Sequence, residues 1–264
     1  MTYNIALAGK GGTGKTTVAG LLIDYLSKEG RGPVLAVDAD ANSNLNEVLG
    51  VKQEVSLGEI REEIAKADWS ENNPIPPGMS KYEYTDFRFN SALVEEDNYD
   101  MLVMGRTQGK GCYCFVNDLL RDKIEKYYRN YKYLIVDNEA GLEHISRGIL
   151  PPMDLILLVS DCSRRSIQAA GRLAEMVNNL DMEVKRLGLI VNRVPANTSE
   201  SDTEYKLESG IEEEIKIQKL DLVGILPLDN NVFQYDAAGK ALVDLPEDSP
   251  VKKSLEEIIR RLEL

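Results

Sequence analysis

Short apolar segments recur along the chain, each bounded by Gly, Asp or Asn. Their apolar residues stand at consecutive positions, which is typical of strands buried on both faces of a sheet. The pattern predicts seven strands: Asn4–Ala8, Val34–Val37, Met101–Met104, Tyr133–Val136, Leu155–Val159, Leu187–Val191 and Val223–Leu226.

Helical periodicity separates several of these segments, most clearly in Thr16–Lys28, Ser166–Leu180 and Pro250–Leu264. A weaker amphipathic pattern surrounds Ile211 and Ile215. The alternation of strands and helices predicts an α/β fold, in which a mostly parallel twisted sheet carries helices on both faces.

The region from Ser56 to Asn98 is the least regular part of the chain. Asn72–Gly78 contains prolines at three positions and is predicted to be a loop, because proline lacks an amide donor and fixes φ. The four aromatic residues that follow predict a small hairpin; they are Tyr82, Tyr84, Phe87 and Phe89.

Composition limits the function classes. The 264 residues are 43% hydrophobic and contain no low-complexity linker, so we expect a single domain over residues 1–264. The net charge of −13 disfavours binding to nucleic acid or anionic lipid, and no apolar run approaches the roughly 20 residues that span a bilayer. Three cysteines do not suggest a secreted disulfide framework, and we expect a cytoplasmic protein.

A glycine-rich segment lies between the first predicted strand and the first predicted helix. It matches G-x-x-x-x-G-K-[ST] through Gly9, Lys10, Gly11, Gly12, Thr13, Gly14, Lys15 and Thr16. Such a loop directs backbone amides onto phosphate, with help from the dipole of the following helix. Lys15 is expected to reach the β- and γ-phosphates and Thr16 to ligate Mg²⁺, with Thr17 also in the nucleotide site.

Acidic residues follow two other predicted strands. Asp38 and Asp40 come after the second strand, and Asp137 ends the strand Tyr133–Val136. Ligands collect at the carboxyl edge of a parallel sheet, so these carboxylates are expected near the phosphates. Asp137 is predicted to support Mg²⁺, Gly141 to offer its amide to a γ-phosphate, and Asp38 or Asp40 to orient the attacking water.

The segment that follows the late strand Leu187–Val191 indicates which nucleotide base the protein recognises. Guanine-reading P-loop proteins usually carry Asn-Lys-x-Asp there, whereas this chain has Asn192, Arg193, Val194 and Pro195, with no carboxylate. The Asn192 amide can donate and accept at an adenine edge, and Pro227 could pack on the ring. We therefore expect ATP and ADP rather than guanine nucleotides.

Lys10 occupies a position at which the basic P-loop pattern accepts any residue. With Gly11, Gly12, Gly14, Lys15 and Thr16 it resembles the deviant Walker A motif of the MinD/ParA/nitrogenase-iron-protein family of ATPases. The resemblance extends through Asp38, Asp40, Asp137 and Asn192. It implies that Lys10 contacts nucleotide bound to a partner subunit, that ATP holds a homodimer together, and that hydrolysis to ADP and phosphate releases it.

Two further segments resemble the CooC-type branch of this family, whose members help to load nickel into carbon monoxide dehydrogenase. They are Asp137–His144 and Gly111–Cys114. The resemblance implies that apo carbon monoxide dehydrogenase is a partner. MinD and ParA relatives more often carry Ser or Thr and Pro after the Walker B aspartate, so Asn138 and Glu139 depart from their pattern.

Cys112 and Cys114 form a Cys-x-Cys pair, and in an extended segment both thiols would point to one side. Two thiolates do not complete a tetrahedral site, but a two-fold dimer would supply four. From the residues alone, metal ligation and two reduced structural cysteines are equally open; the resemblance favours shared Ni²⁺ or Zn²⁺. Cys162 is expected to be a small buried residue.

Two other functions stay open at this point. Four thiolates also suit an iron–sulfur cluster, which would make the protein a cluster carrier or an iron-protein-like ATPase. A MinD- or ParA-type positional ATPase would bind membrane or DNA, but the last helix balances its Lys and Arg with Glu and is assigned to the core.

Overall fold

The computed structural model describes residues 1–40, 42, 44–66, 73–105, 114–139, 150–179, 183–199 and 202–264. The strands are β1 (Tyr3–Ala8), β2 (Val34–Ala39), β3 (Val94–Glu95), β4 (Tyr99–Val103), β5 (Tyr133–Asn138), β6 (Met153–Asp161), β7 (Val184–Val194), β8 (Asn197–Ser199), β9 (Asp202–Glu204) and β10 (Leu222–Pro227). The helices are α1 (Lys15–Lys28), α2 (Leu45–Leu49), α3 (Leu57–Lys66), α4 (Lys81–Ala92), α5 (Cys114–Tyr128), α6 (Arg164–Asn179), α7 (Ser209–Ile217), α8 (Asn230–Ala237) and α9 (Pro250–Arg261). A 3-10 turn covers Leu242–Asp244.

Eight strands form the main sheet in the order β10-β7-β6-β1-β5-β2-β4-β3. All neighbours are parallel except β3, which runs antiparallel to β4 at one edge. The central strand β1 pairs with β5 on one side and β6 on the other. This arrangement confirms the predicted α/β class and the seven predicted strands.

Each face of the sheet has its own core. Successive side chains of a strand point to opposite faces, so Ile5 and Leu7 join one cluster while Ala6 and Ala8 join the other. Helices α1, α2 and α9 cover the first face, and α3 to α7 cover the second. The strands are therefore buried on both sides, which explains their continuous apolar runs.

The predicted aromatic hairpin is wrong, because Tyr82–Phe89 lies within helix α4. Ser80 begins the helix with a capping box, in which its hydroxyl accepts from the Glu83 amide at 3.2 Å and the Glu83 carboxylate accepts from the Ser80 amide at 2.8 Å. Tyr84 and Phe89 are buried, whereas Tyr82 and Phe87 are exposed. A helical face, rather than strand alternation, therefore determines which rings join the core.

The last helix packs as expected. The apolar face of α9 is buried against the sheet through Val251, Leu255, Ile258 and Ile259. Among the described residues, no helix combines the length and apolar character that crossing a membrane requires.

Candidate nucleotide site

The carboxyl edge of the sheet gathers the predicted nucleotide residues. The P-loop connects the end of β1 to α1. The neighbouring strand β5 carries Asp137 one position before its end. In the next strand β2, Asp38 stands directly opposite Asp137 in the parallel register. Three neighbouring strands thus bring together groups that are far apart in the sequence.

Two glycines of the P-loop occupy places where a side chain would collide. A Cβ on Gly9 would lie 2.2 Å from the Val159 carbonyl oxygen of β6. Gly14 has φ +90°, and a Cβ there would lie 2.4 Å from Nδ2 of Asn192. The loop is therefore held tightly against β6 and β7, a conformation that favours glycine.

The Lys10 carbonyl is the internal anchor of the loop. It accepts hydrogen bonds from the Thr13 hydroxyl at 2.9 Å, the Thr13 amide at 3.4 Å and Lys15 Nζ at 3.4 Å. Lys15 is buried, whereas the Lys10 side chain is exposed. The two lysines of the motif thus differ in environment: Lys15 folds back over the loop and Lys10 faces outward.

Asp137 is a buried carboxylate with unmet hydrogen-bonding capacity. It is 1% exposed, and neither carboxylate oxygen has a hydrogen-bond partner among the described residues. Burial raises its pKa to about 7, opposed by the nearby Thr16 hydroxyl and by Lys15, while Asp38 and Asp40 raise it further. The Thr16 hydroxyl is close to the carboxylate without completing a hydrogen bond, so a cation between the two would find oxygen ligands already in place.

Asp38 and Asp40 have different environments. Asp38 is fully buried, and its two oxygens accept from the amides of Asp40 and Leu45, both at 3.0 Å. Burial raises the pKa of Asp38 to about 6, and these two hydrogen bonds oppose the rise. Asp40 is half-buried beyond the end of β2, where its carboxylate accepts from the Asn42 amide at 2.8 Å. Asp38 thus fixes the loop, while Asp40 is nearer to solvent.

Asn192 and Arg193, at the end of β7, both bind the P-loop backbone. Asn192 Nδ2 donates to the Thr13 carbonyl at 2.9 Å, and Arg193 donates to the Gly12 carbonyl at 2.9 Å. Asn192 Oδ1 accepts from the Arg193 amide at 2.9 Å, and Arg193 adopts φ 58°. The sequence interpretation gave the Asn192 amide to an adenine edge; in the structure both ends of this amide already have protein partners.

A cavity of about 390 Å³ opens beside these residues and falls within the size range of small-molecule sites. Its walls include predicted base-site residues. They also include apolar side chains that the sequence does not predict, from Leu228, α8, the 3-10 turn and α9. The lining comprises Thr17, Asn192, Arg193, Pro227, Leu228, Asp229, Val232, Phe233, Asp236, Leu242 and Val251. No sequence pattern singles out Phe233, because its helix is short and has no buried face.

Several predicted residues lie outside the described part of the chain, namely Gly141, Cys112 and the side chain of Cys114. The backbone of Cys114 begins helix α5, so the expected extended Cys-x-Cys segment does not continue through it. Cys162 is half-buried rather than buried, with its thiol 3.7 Å from the Arg193 carbonyl oxygen. Within the described ranges, no group of three or more His, Cys, Asp or Glu side chains could hold a metal ion.

Comparison with known proteins decides the family. The model of the CobQ/CobB/MinD/ParA nucleotide-binding domain matches residues 5–243, which is most of the chain. The chain belongs to this family. It is therefore a nucleotide-binding P-loop protein, in agreement with the position of the glycine loop at the carboxyl edge of the sheet.

Individual relatives agree with this membership. The chain is 40% identical over 258 residues to an uncharacterized ATP-binding protein of Methanocaldococcus jannaschii, covering 98% of this chain and 97% of the relative. It is 30% identical over 252 residues to the carbon monoxide dehydrogenase accessory protein CooC of Rhodospirillum rubrum, covering 91% and 89%. The cell division ATPase MinD of Pyrococcus furiosus has the same fold, with a TM-score of 0.68 at 21% identity and coverage of 100% and 99%.

Proposed function

We propose that this chain is a Mg²⁺-dependent ATPase that dimerises with ATP and handles a thiol-bound metal for carbon monoxide dehydrogenase. The observation that carries the ATPase proposal is the buried carboxylate of Asp137, which has no hydrogen-bond partner within the described ranges and lies near Thr16 and Lys15. A buried charge without a partner is costly, and a bound cation would compensate for it.

The P-loop amides and Lys15 hold the phosphates of ATP. Gly141, which lies outside the described residues, is the residue expected from the sequence to offer its amide to the γ-phosphate. Thr16 and Asp137 would hold Mg²⁺, which when bound neutralises charge on the β- and γ-phosphate oxygens. Asp38 keeps the loop after β2 in place through its two amide hydrogen bonds. Asp40 orients the water, because its carboxylate is the less buried of the two.

Hydrolysis then follows in one displacement. The water oxygen forms a bond to the γ-phosphorus while the bond from this phosphorus to the β–γ bridging oxygen breaks, giving ADP and inorganic phosphate. The water proton leaves with the phosphate or passes to solvent. Lys10, whose side chain is exposed at the mouth of the loop, reaches nucleotide on a second copy of the chain, so the ATP-bound state is a homodimer.

The metal-handling proposal rests on the cysteine pair and on the CooC relative. That relative is a carbon monoxide dehydrogenase accessory protein and aligns over 91% of this chain. A two-fold dimer would bring Cys112 and Cys114 of both copies to one axis and supply four thiolates to one Ni²⁺ or Zn²⁺ ion. Because metal and ATP both favour the dimer, each should strengthen binding of the other.

Cysteine replacement tests this proposal. Cys112→Ser and Cys114→Ser should lose the single Zn²⁺ or Ni²⁺ ion expected per two chains, while Cys162→Ser, a matched control at the third cysteine, retains it. Metal content and mass are measured together after gel filtration with ATP. Retention of metal by both Cys112→Ser and Cys114→Ser contradicts the thiol site. An absorbance band at about 400 nm in anaerobically purified wild-type protein would instead indicate an iron–sulfur cluster.

A MinD-type positional role is the second candidate, favoured by 24% identity to the septum site-determining protein MinD of Synechocystis over 98% of this chain. The buried apolar face of α9 leaves that helix no apolar stripe to insert into lipid. Co-sedimentation with anionic liposomes or with DNA in the presence of ATP would favour this candidate.

A further inference from the structure

Two exposed apolar side chains stand at the mouth of the cavity beside the P-loop. Phe233 is 74% exposed and Leu228 is 53% exposed, and both line this cavity. Large apolar side chains in water are a cost that a ligand can remove by covering them. Their position in the lining of one cavity indicates a ligand with an apolar face.

The helix that carries Phe233 is anchored by hydrogen bonds at its start. Asp229 caps α8 by accepting from the Asn231 amide at 2.9 Å, and its second oxygen accepts from the Ser249 hydroxyl at 2.6 Å. The Leu228 amide also donates to the Val194 carbonyl at 2.8 Å. None of the helical residues of α8 is buried. Val232 and Tyr235 of the same helix pack against the core, so α8 holds the Phe233 ring exposed at the mouth of the cavity.

We propose that Phe233 is the aromatic cover of the nucleotide base, stacking on the purine when it enters this cavity. The inference rests on the proposed ATP site, since Thr17 of α1 and Arg193 line the same cavity and connect it to the P-loop. A flat purine buries the exposed ring, and stacking does not depend on which purine is present. Phe233 is thus a binding residue that contributes to affinity for the base and leaves base selectivity to other groups.

The test distinguishes binding of the base from binding of the phosphates. Phe233→Ala should weaken ATP and GTP binding by the same factor, about 5- to 150-fold, the range typical of aromatic–base stacking. Affinity for Mg²⁺-tripolyphosphate, which has no base, should not change. Phe233→Trp should retain ATP affinity, and Phe233→Leu should lose part of it, because leucine covers the base without a π face. Isothermal titration calorimetry measures all of these affinities.

Phe87→Ala is the matched control, since it removes a phenylalanine that is 61% exposed on α4 and does not line this cavity. Its nucleotide affinities should equal those of the wild type. If Phe233→Ala keeps its ATP affinity while Lys15→Ala binds ATP much more weakly, Phe233 does not stack on the base, and the proposed phosphate site still stands. Unchanged ATP affinity in both variants overturns the phosphate site as well. If Phe233→Ala loses affinity for tripolyphosphate as much as for ATP, the substitution affects the whole fold, and this result would also contradict stacking on the base.

Discussion

Replacing Asp137 with Asn should stabilise the nucleotide-free protein at neutral and alkaline pH. The carboxylate is 1% exposed and burial raises its pKa from 3.8 to about 7. Asn has nearly the same shape as the protonated acid and never carries the charge. The substitution therefore removes the free-energy cost of burying the charged carboxylate, a cost that a bound cation would otherwise offset.

The sign and magnitude follow from proton linkage. An acid whose pKa is raised in the folded state favours folding while it is protonated, and this contribution is lost as pH rises from about 4 to about 7. A rise of roughly 3 pKa units corresponds to about 4 kcal/mol. The variant should gain about 1 kcal/mol over wild type at about pH 4.5 and about 4 kcal/mol at about pH 8, so the difference grows by about 3 kcal/mol.

Urea denaturation with EDTA, followed by circular dichroism at the two pH values, measures this difference. Asp97→Asn is the control, since Asp97 is exposed in the turn between β3 and β4, and its stability should follow that of the wild type. A difference between Asp137→Asn and wild type that does not grow with pH would refute the reasoning. The same variant should lose the Mg²⁺ dependence of ATP binding.

Four further substitutions test the neighbouring groups. Lys15→Ala should reduce ATP hydrolysis at least about 100-fold in a phosphate-release assay, because a buried cation aimed at the phosphates is removed; wild-type turnover would contradict its role. Asp40→Asn should reduce turnover while leaving ATP affinity near wild type, whereas Asp38→Asn should also weaken ATP binding, because the Asn NH2 group cannot accept a hydrogen bond and one of the two amides that fix the loop after β2 loses its acceptor; identical behaviour of the pair would contradict the division of roles. Gly14→Ala should cost about 1–3 kcal/mol of unfolding free energy and weaken ATP binding, because its φ is +90° and its Cβ would meet Asn192; an unchanged urea midpoint would exclude this strain.

Much of the fold could be predicted because the decisive signals are local. Strands buried on both faces leave continuous apolar runs, and the P-loop fixes where β1 ends and α1 begins. A parallel sheet then places Asp38 and Asp137 at the same edge, and the structure adds that their strands β2 and β5 are neighbours. The aromatic residues of α4 have high β-propensity and predict a hairpin, but the capping box that Ser80 and Glu83 form begins a helix there.

The parts that could not be predicted depend on contacts between distant segments. Asn192 and Thr13 are 179 positions apart, and nothing in either segment predicts the hydrogen bond between this amide and the loop. Phe233 belongs to a helix with no buried residue, so no periodic pattern marks it. Only the assembled sheet shows that this ring borders the same cavity as the P-loop.

Sedimentation velocity tests the central claim, that ATP and a shared metal ion together hold two copies of the chain. The account predicts a 29.5 kDa particle without ligands and a particle of twice that mass with Mg²⁺-ATP and Zn²⁺ or Ni²⁺. Either ligand should lower the concentration of the other that is required for the shift. A particle that keeps the monomer mass under every combination of nucleotide and metal would contradict the account.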